Sequence, residues 1–227
     1  MALAFFDLDR TLLAVNAGQL WVKREMRLGY IGRWQATKAA AWLFGYHLGF
    51  SRVEHVLEGA IASLAGGREE EIAARTRVFY AEEVAATYRP RARDVVEAHR
   101  AKGDTLALLS STSIYLAEPV LAALGIEHAL CNRFEVKDGL FTGRPLGPLC
   151  FGAGKAVHAR DLAERLGERM DDATFYTDSA SDLGVMELVG TPVAVNPDPT
   201  LARVARKRGW RVEDWGVPAR ARAGRPL

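Results

Sequence analysis

AFFDLDRTLL, residues 4–13, joins a short apolar run to two aspartates, Asp7 and Asp9, that stand two residues apart. An apolar run that is bounded by polar residues is typical of a parallel strand covered on both faces. Like charges this close raise each other's pKa, so the pair is costly without a counter-ion. The stretch therefore predicts a buried strand that ends at a cation-binding site or a catalytic site.

Length and charge limit the class of protein. The chain has 227 residues, 49% of them hydrophobic, and a net charge of +2 from 30 basic and 28 acidic residues. This is enough for one large domain, or for a core domain with a smaller insert. The near balance of charge demands no polyelectrolyte partner, and we interpret the basic stretch 203–211 as a solvated helix. We expect no nucleic-acid partner.

Cysteine use and hydropathy predict a cytoplasmic protein. The two cysteines, Cys131 and Cys150, have no CxxC spacing, which argues for a reducing compartment and against a zinc site. The N-terminus begins with the apolar strand and lacks a basic signal peptide. The longest uncharged stretch, 39–51, is shorter than the ~20 residues of a membrane span. We therefore expect no integral membrane segment, while peripheral membrane contact and the oligomeric state stay open.

The rest of the chain alternates apolar runs with helical patterns. The predicted strands are 3–8, 105–110, 173–178 and 191–196, and the predicted helices between or beside them are 92–103, 114–125, 154–167 and 181–190. Strands that alternate with helices of this length form right-handed βαβ units. The pattern predicts an α/β fold with a doubly wound parallel sheet.

One long segment departs from this alternation. Residues 14–88 contain no convincing strand, and 68–88 has the pattern of a long amphipathic helix. About 75 residues are too many for a loop inside a compact domain, so we expect an inserted, all-helical cap subdomain. The catalytic core would then consist of residues 1–13 and 89–227, with 218–227 as a frayed tail.

Charged and hydroxyl side chains stand at the predicted carboxyl ends of the strands and at the helix starts that follow. They are Asp7, Asp9, Ser110, Lys155, Asp178 and Asp182. Ligands of open α/β sheets bind at this edge, where Asp7 and Asp178 would face each other. Mg²⁺ typically takes one or two carboxylates, keeps waters and binds substrate phosphate. The set therefore predicts a magnesium site that holds a phosphoryl group together with Lys155 and Ser110.

The spacing of the first two carboxylates suggests two roles. Asp7 would attack phosphorus and form an aspartyl phosphate. Asp9 would protonate the leaving oxygen and later deprotonate the attacking water. These residues predict a Mg²⁺-dependent phosphatase that acts on a small-molecule phosphate monoester.

The motifs together resemble those of the haloacid dehalogenase (HAD) superfamily. FFDLDRTLL is similar to its DxDxT signature, Ser110 after TLALL to its second motif, Lys155 to its third, and TDSASD (177–182) to its fourth. The helical insertion and the stretch CNRFEVKDGLFTGR (131–144) are similar to those of the phosphoserine-phosphatase-like branch, subfamily IB. In that stretch Asp138-Gly139 also predicts a β-hairpin. The resemblance covers nearly the whole chain.

The resemblance implies roles for particular residues. It implies a Rossmann-like core in which Thr11 orders the motif loop, Ser110 and Lys155 bind phosphate, and Asp182 supports Lys155 or a metal-bound water. It implies three ligands for Mg²⁺, namely the carboxylates of Asp7 and Asp178 and the main-chain carbonyl of Asp9. Short polar side chains at the rim are the candidate substrate contacts: Asn16, Ser111, Thr112 and Ser181.

Four departures from the family pattern bear on the substrate. Arg10 stands where glycine or serine is commoner, and Ser111-Thr112 replaces the usual Gly-Gly after the second motif. Asn16 stands where phosphoserine phosphatases carry a glutamate for the substrate ammonium. Within 50–65 there is no clear counterpart of their carboxylate-binding arginine. We therefore do not expect phosphoserine to be the substrate.

Several alternatives share parts of this pattern. A phosphotransferase would use the same intermediate with an alcohol acceptor, and a receiver domain would combine similar residues without turnover. Asp9 and the insertion at 14–88 argue against a receiver domain, and Asp9 also argues against a dehalogenase. The aromatic residues in 21–50 form either the core of a helical bundle or an apolar surface for a lipid-like ester.

Overall fold

The computed structural model describes residues 2–30 and 53–218, and its centre is a six-stranded parallel sheet. The sheet strands are β1 (Leu3–Phe6), β2 (Thr105–Ser113), β3 (His128–Asn132), β6 (Thr174–Thr177), β7 (Thr191–Val195) and β8 (Arg211–Glu213), and a separate hairpin consists of β4 (Phe134–Lys137) and β5 (Leu140–Pro145). The described helices are α1 (Ala17–Arg27), α2 (Val53–Ala62), α3 (Glu69–Phe79), α4 (Ala92–Ala101), α5 (Ile114–Leu124), α6 (Ala153–Leu166), α7 (Leu183–Met186) and α8 (Pro199–Arg208).

The sheet is doubly wound, as the sequence predicts. The strand order is β3-β2-β1-β6-β7-β8, and each neighbouring pair is parallel. The chain moves outward from β1 through β2 and β3, then returns to the other side of β1 with β6. The order therefore reverses between β1 and β6, and this is where open α/β sheets bind ligands at the carboxyl ends of their strands.

Helices cover both faces of β1, which explains its unbroken apolar sequence. Every residue of Leu3–Phe6 is buried. Phe6 belongs to a core cluster that includes residues of α4 and α5, and Phe5 belongs to a second cluster with residues of α6 and α8. Burying such a side chain contributes about 1.5–3 kcal/mol. The two clusters fix β1, and with it the start of the loop that carries Asp7.

The predicted hairpin is confirmed. β4 and β5 pair antiparallel, and the two residues between them, Asp138 and Gly139, have φ of 52° and 76°. Positive φ at both positions is the geometry of a type I′ turn, which Asp-Gly favours because neither residue is strongly strained there. Cys131 and Cys150, on either side of the hairpin, are both free and buried.

Two predicted helices were wrong in extent. The predicted helix 181–190 is a short 3₁₀ turn followed by α7, which ends at Met186. A Cβ at Gly190 would lie 1.6 Å from the Asp171 carbonyl oxygen, so the chain there passes against backbone and turns into β7. The predicted long helix 68–88 is α3 followed by a π turn and a 3₁₀ turn.

The regular elements that the structure describes in the insertion are helices, joined by turns, and Arg68 and Tyr88 form isolated β-bridges to Leu140 and Leu13. α1, α2 and α3 lie between β1 and α4, and α2 packs against β5 of the hairpin. Trp21 packs edge-on against the buried Phe79, with 5.3 Å between ring centroids, which fits the bundle-core interpretation of this aromatic residue. The aromatic residues predicted for the same role in 31–52 lie outside the described residues, as do 219–227 of the predicted tail. None of the described helices is long and apolar enough to cross a membrane.

Candidate active site

The loop after β1 is held in place by main-chain hydrogen bonds. The Asp7 N–H donates to the carbonyl of Tyr176 on β6 (2.9 Å), so Asp7 stands at the point where the strand order reverses. Arg10 has a left-handed backbone with φ of 59°, which is uncommon for a residue other than glycine. Its N–H donates to the Val15 carbonyl at 2.9 Å, and its own carbonyl accepts from the Arg89 Nε at 2.9 Å.

A buried ion cluster joins three distant segments of the chain. The Lys155 Nζ donates to Asp7 Oδ1 and to Asp182 Oδ2, both at 2.8 Å. Thr177 Oγ1 also donates to Asp182 Oδ2, at 2.7 Å. All four side chains are buried. Lys155 therefore orients Asp7, and Asp182 in turn orients Lys155, as the family resemblance implies.

Two carboxylates converge on one hydroxyl. Thr11 Oγ1 lies 3.4 Å from Asp7 Oδ2 and 3.4 Å from Asp178 Oδ1. Because a hydroxyl donates one proton, it can satisfy only one of these two oxygens at a time. The Asp7 and Asp178 side chains therefore keep oxygens with unfilled acceptor capacity beside each other, which is a site that favours a cation.

The Asp9 carboxylate points to the N-terminus of α1. Its Oδ1 accepts a hydrogen bond from the Ala17 N–H at 2.7 Å, at the first residue of that helix. Anions are favoured at a helix N-terminus because the first N–H groups have no partner within the helix. Burial raises the pKa of Asp9 to about 6, and the bond from Ala17 opposes this rise. A carboxyl group with such a pKa can exchange a proton near neutral pH.

Burial and crowding also raise the pKa values of the other carboxyl groups. Burial raises the pKa of Asp178 to about 7, with Arg10 opposing this rise and Asp182 adding to it. Burial likewise raises the pKa of Asp7 well above its usual range, despite the charge of Lys155. The pKa of Lys155 lies above its usual value because Asp182 and Asp7 outweigh its burial, so this amine stays charged. Without a metal, the site has too little positive charge for its carboxylates.

This charge deficit predicts how stability depends on pH without a metal. The pKa of Asp178 is about 7 in the folded protein, against an ordinary value of 3.8. The protonated Asp178 side chain therefore contributes fully to the stability of the fold below about pH 4, and this contribution is lost as the pH rises through about 7. In EDTA, the Tm of Asp178→Asn relative to the wild type should therefore rise between about pH 5 and about pH 8. Thermal unfolding over that range measures the difference. A difference that does not change with pH would contradict the prediction, and Asp161→Asn, at an exposed acid on α6, is the control.

The predicted phosphate-binding Ser110 and the candidate substrate contacts Ser111 and Thr112 lie on β2, and their hydrogen bonds lie within β2 or reach β3. Ser110 is buried inside β2, and its Oγ accepts from the Thr112 N–H at 3.3 Å. The Ser111 carbonyl accepts from the Asn132 Nδ2 at 2.6 Å. Within the described chain, no hydrogen bond links the Ser110, Ser111 or Thr112 side chains to those of Asp7, Thr11, Lys155, Asp178 and Asp182. β2 runs to Ser113, beyond the predicted end at 110, and its pairing with β3 shifts register between Leu109 and Ser113.

The two remaining rim candidates have local partners. Asn16 Oδ1 accepts from the Gln19 N–H at 2.8 Å, so this side chain caps the N-terminus of α1. Ser181 is exposed, and its Oγ lies 3.0 Å from the Ser179 Oγ and 3.5 Å from Asp182 Oδ1. Ser181 is therefore beside the ion cluster, and Asn16 is engaged in the helix cap.

Sequence reasoning missed two residues that hold the site from outside. The Asp198 N–H donates to the Asp178 carbonyl, and Asp198 Oδ2 accepts from the Ala180 N–H, both at 2.8 Å. Asp198 also caps α8, and an aspartate before a proline at a helix start is a signal that could have found it. Arg89 is buried and donates from Nη1 to the Gly216 carbonyl at 2.6 Å as well as to Arg10. No sequence signal marks that residue.

The side chains at the site suit Mg²⁺ through two carboxylates. Across residues 2–30 and 53–218, no group of three or more His, Cys, Asp and Glu side chains is arranged to hold a metal ion. Two converging carboxylates, from Asp7 and Asp178, are nevertheless present. A hard cation that accepts two carboxylates and fills its other positions with carbonyl, water and phosphate oxygens suits such a set.

Comparison with known proteins identifies the family. The family model for haloacid dehalogenase-like hydrolases matches residues 4–187. The phosphoserine phosphatase SerB1 of Mycobacterium tuberculosis is 34% identical over 233 residues, covering 97% of this chain and 73% of that protein. The histidinol-phosphatase of Neisseria meningitidis serogroup C is 34% identical over 217 residues, covering 92% of this chain and 97% of that protein.

Solved structures show the same fold. A protein of unknown function from Bordetella pertussis Tohama I has a TM-score of 0.87 at 32% identity, covering 94% of this chain and 98% of that one. A phospho-aspartyl intermediate analogue of phosphoserine phosphatase has a TM-score of 0.67 at 20% identity, covering 97% and 96% of the two chains. The chain therefore belongs to the haloacid dehalogenase-like hydrolases, in the phosphoserine-phosphatase-like branch, and is a phosphoric monoester hydrolase.

Proposed function

We propose that this protein is a Mg²⁺-dependent phosphatase that acts on a small phosphate monoester through an aspartyl phosphate on Asp7. The observation that supports this most is the placement of Asp7. Lys155 holds Oδ1 at 2.8 Å, and Oδ2 lies beside Thr11 and Asp178. One oxygen is thus fixed by a cation, while the carboxylate stays next to the place where a phosphoryl group would bind.

Three groups would hold the magnesium ion, as the family resemblance implies. They are the carboxylates of Asp7 and Asp178 and the main-chain carbonyl of Asp9. When bound, Mg²⁺ would neutralise charge on the phosphoryl oxygens as a Lewis acid. Lys155 adds a fixed positive charge on the same side, and Ser110 is the proposed hydroxyl donor. Asp182 and Thr177 keep the Lys155 amine in position.

In the first proposed step, Asp7 displaces the alcohol. An Asp7 carboxylate oxygen attacks phosphorus, the bond between phosphorus and the ester oxygen breaks, and the electron pair leaves with that oxygen. Asp9, in its protonated form, gives its proton to the leaving oxygen. The pKa of Asp9 near 6 leaves part of the protein in this form at neutral pH.

In the second proposed step, water releases the phosphate. Asp9 is now a carboxylate and takes a proton from the attacking water, whose oxygen bonds to phosphorus. The bond between phosphorus and the Asp7 oxygen breaks, which restores the Asp7 carboxylate and the protonated Asp9. The same residue thus acts as acid and then as base, because the first step leaves it without its proton, and its Oδ1 accepts from the Ala17 N–H at 2.7 Å.

The names of the relatives suggest the kind of ester. Phosphoserine and histidinol phosphate are both monoesters of primary alcohols, so we propose a primary-alcohol monoester for this chain as well. We keep the proposal that phosphoserine itself is not the substrate, because Asn16 is neutral and caps α1.

We also propose that residues 14–88 form the cap over a core of 1–13 and 89–227, and that the protein acts in the cytoplasm without a nucleic-acid partner.

Phosphate release from a panel of small and lipid monoesters tests this function. With Mg²⁺ we expect turnover of small primary-alcohol esters, and EDTA should lower it on the order of 100-fold or more, with recovery when Mg²⁺ is returned. Added glycerol separates hydrolysis from transfer, because a phosphotransferase would form glycerol phosphate at the expense of free phosphate. Turnover that is unaffected by EDTA would contradict the metal dependence, and a preference for lipid esters would favour the apolar-surface interpretation of 21–50.

A further inference from the structure

Arg10 is presented to solvent from a rigid piece of backbone. Its N–H and its carbonyl are both hydrogen-bonded, to Val15 and Arg89, at 2.9 Å each. Arg89 is itself buried and bonded to Gly216. The left-handed backbone at φ of 59° is therefore fixed from both sides, and the Arg10 side chain leaves the loop from one defined position.

The Arg10 guanidinium has no ion-pair partner within residues 2–30 and 53–218. The side chain is exposed, and the sequence outside the described ranges contains no Asp or Glu in 31–52 or 219–227 that could supply a carboxylate side chain. Binding an anionic group would thus cost Arg10 no existing salt bridge. A guanidinium recognises carboxylates and phosphates through paired hydrogen bonds.

Arg10 stands beside the residues that face the reacting ester. It lies between Asp9, the proposed proton donor to the leaving oxygen, and Thr11, which contacts Asp7 and Asp178. Its charge is also close enough to oppose the rise in pKa of both Asp178 and Asp9. In the proposed reaction the leaving group departs from the oxygen that Asp9 protonates, and Arg10 is the residue next to Asp9 in the loop.

We propose that Arg10 selects substrates whose leaving group carries an anionic group, a carboxylate or a second phosphate, within a few bonds of the ester oxygen. This inference rests on the proposed phosphatase function and narrows its substrate class to acidic primary-alcohol esters. A cation on this loop attracts such a leaving group and repels one that carries an ammonium. Asn16, the nearby rim candidate, offers no negative charge to offset that repulsion.

Four esters on the same two-carbon scaffold test the proposal. They are 2-phosphoglycolate, ethylene glycol bisphosphate, 2-hydroxyethyl phosphate and O-phosphoethanolamine, in which the group opposite the ester is a carboxylate, a phosphate, neutral and an ammonium. In the wild type we expect kcat/KM to fall in the order anionic, neutral, cationic. Arg10→Asn should lower the ratio of anionic to neutral kcat/KM roughly tenfold, mainly through KM, while Arg10→Lys, which keeps the charge but not the paired hydrogen bonds, should retain part of that ratio.

Arg10→Asn suits the local backbone, and a substitution far from the site serves as its control. Asparagine tolerates the left-handed backbone of residue 10, so Arg10→Asn is expected to fold, and its Tm checks this. Arg165→Asn is the control, because that exposed arginine lies in the last turn of α6, about 15 Å along the helix from Lys155. It should leave all four kcat/KM values unchanged.

The outcomes separate this proposal from the proposed function. Asp7-dependent turnover of the neutral ester with no charge preference, or an equal loss for all four esters in Arg10→Asn, would overturn the role of Arg10 and leave the phosphatase intact. Lack of turnover for every ester, by folded protein with Mg²⁺, would overturn both. A preference for only one of the two anionic esters would identify which anion Arg10 binds.

Discussion

Asp7→Asn is expected to lower kcat/KM on the order of 10⁴-fold or more, because it removes the oxygen that would attack phosphorus. Asparagine has nearly the same shape, and its carbonyl oxygen can still accept from Lys155, so the fold should be retained. Removing one of the crowded carboxylates also removes repulsion from Asp178 and Asp182, which raise the pKa of Asp7. We therefore expect a Tm at neutral pH equal to or above that of the wild type.

Steady-state phosphate release and thermal unfolding measure the two parts of this prediction. Asp161→Asn makes the same chemical change at an exposed position on α6 and should keep full activity. Treating wild-type protein with hydroxylamine during turnover should convert the aspartyl phosphate into a hydroxamate at Asp7 with release of phosphate, and Asp7→Asn should form no such hydroxamate. Substantial turnover by a folded Asp7→Asn protein would mean that another group attacks phosphorus.

Lys155→Met is expected to lower both activity and stability. Methionine fills similar space but leaves Asp7 and Asp182 buried without the cation that both contact at 2.8 Å. Breaking a buried ion pair on one side typically costs about 3–5 kcal/mol of unfolding free energy. Activity should fall on the order of 1000-fold, because the fixed charge beside the phosphoryl group and the orientation of Asp7 are both lost.

A double variant separates these two effects. Lys155→Met with Asp182→Asn removes one positive and one negative charge together, so the remaining carboxylate of Asp7 has fewer charged neighbours. Denaturant unfolding should show that the double variant recovers much of the lost stability, and phosphate release should show that it does not recover activity. Recovery of both would mean that Lys155 acts only by stabilising the fold, and recovery of neither would mean that the pair with Asp182 contributes little.

The sheet was predictable where strands are buried on both faces. Leu3–Phe6 is apolar throughout because helices cover both sides, and such a run is visible in the sequence. β8 gave no comparable signal, since Arg211–Glu213 has only three residues, two of them exposed. β3 was missed because the pattern of 131–144 emphasised the hairpin. Edge strands depend on their one neighbour, and a local pattern contains little information about that neighbour.

The meeting of the Asp7 and Asp178 carboxylates was predictable for a different reason. Asp7 and Asp178 follow adjacent strands, and strand ends meet at one edge of a parallel sheet, so their proximity follows from the topology. Arg89 was not predictable because its partners are main-chain carbonyls, of Arg10 and Gly216, which every sequence has. The roles of Ser110 and Asn16 stay predictions, since their side-chain oxygens accept from neighbouring main-chain N–H groups, of Thr112 and Gln19.

The contact between Lys155 and Asp7 joins residues that are 148 positions apart in the chain. A contact of such separation carries a large loop-closure entropy and is formed only when the intervening strands have taken their places. No short fragment of this chain can therefore assemble the ion cluster, and a partly folded form with the hairpin already paired would still be inactive. During refolding, the return of catalytic activity would mark the completion of the whole sheet. Phosphatase activity can therefore serve as a probe of global folding.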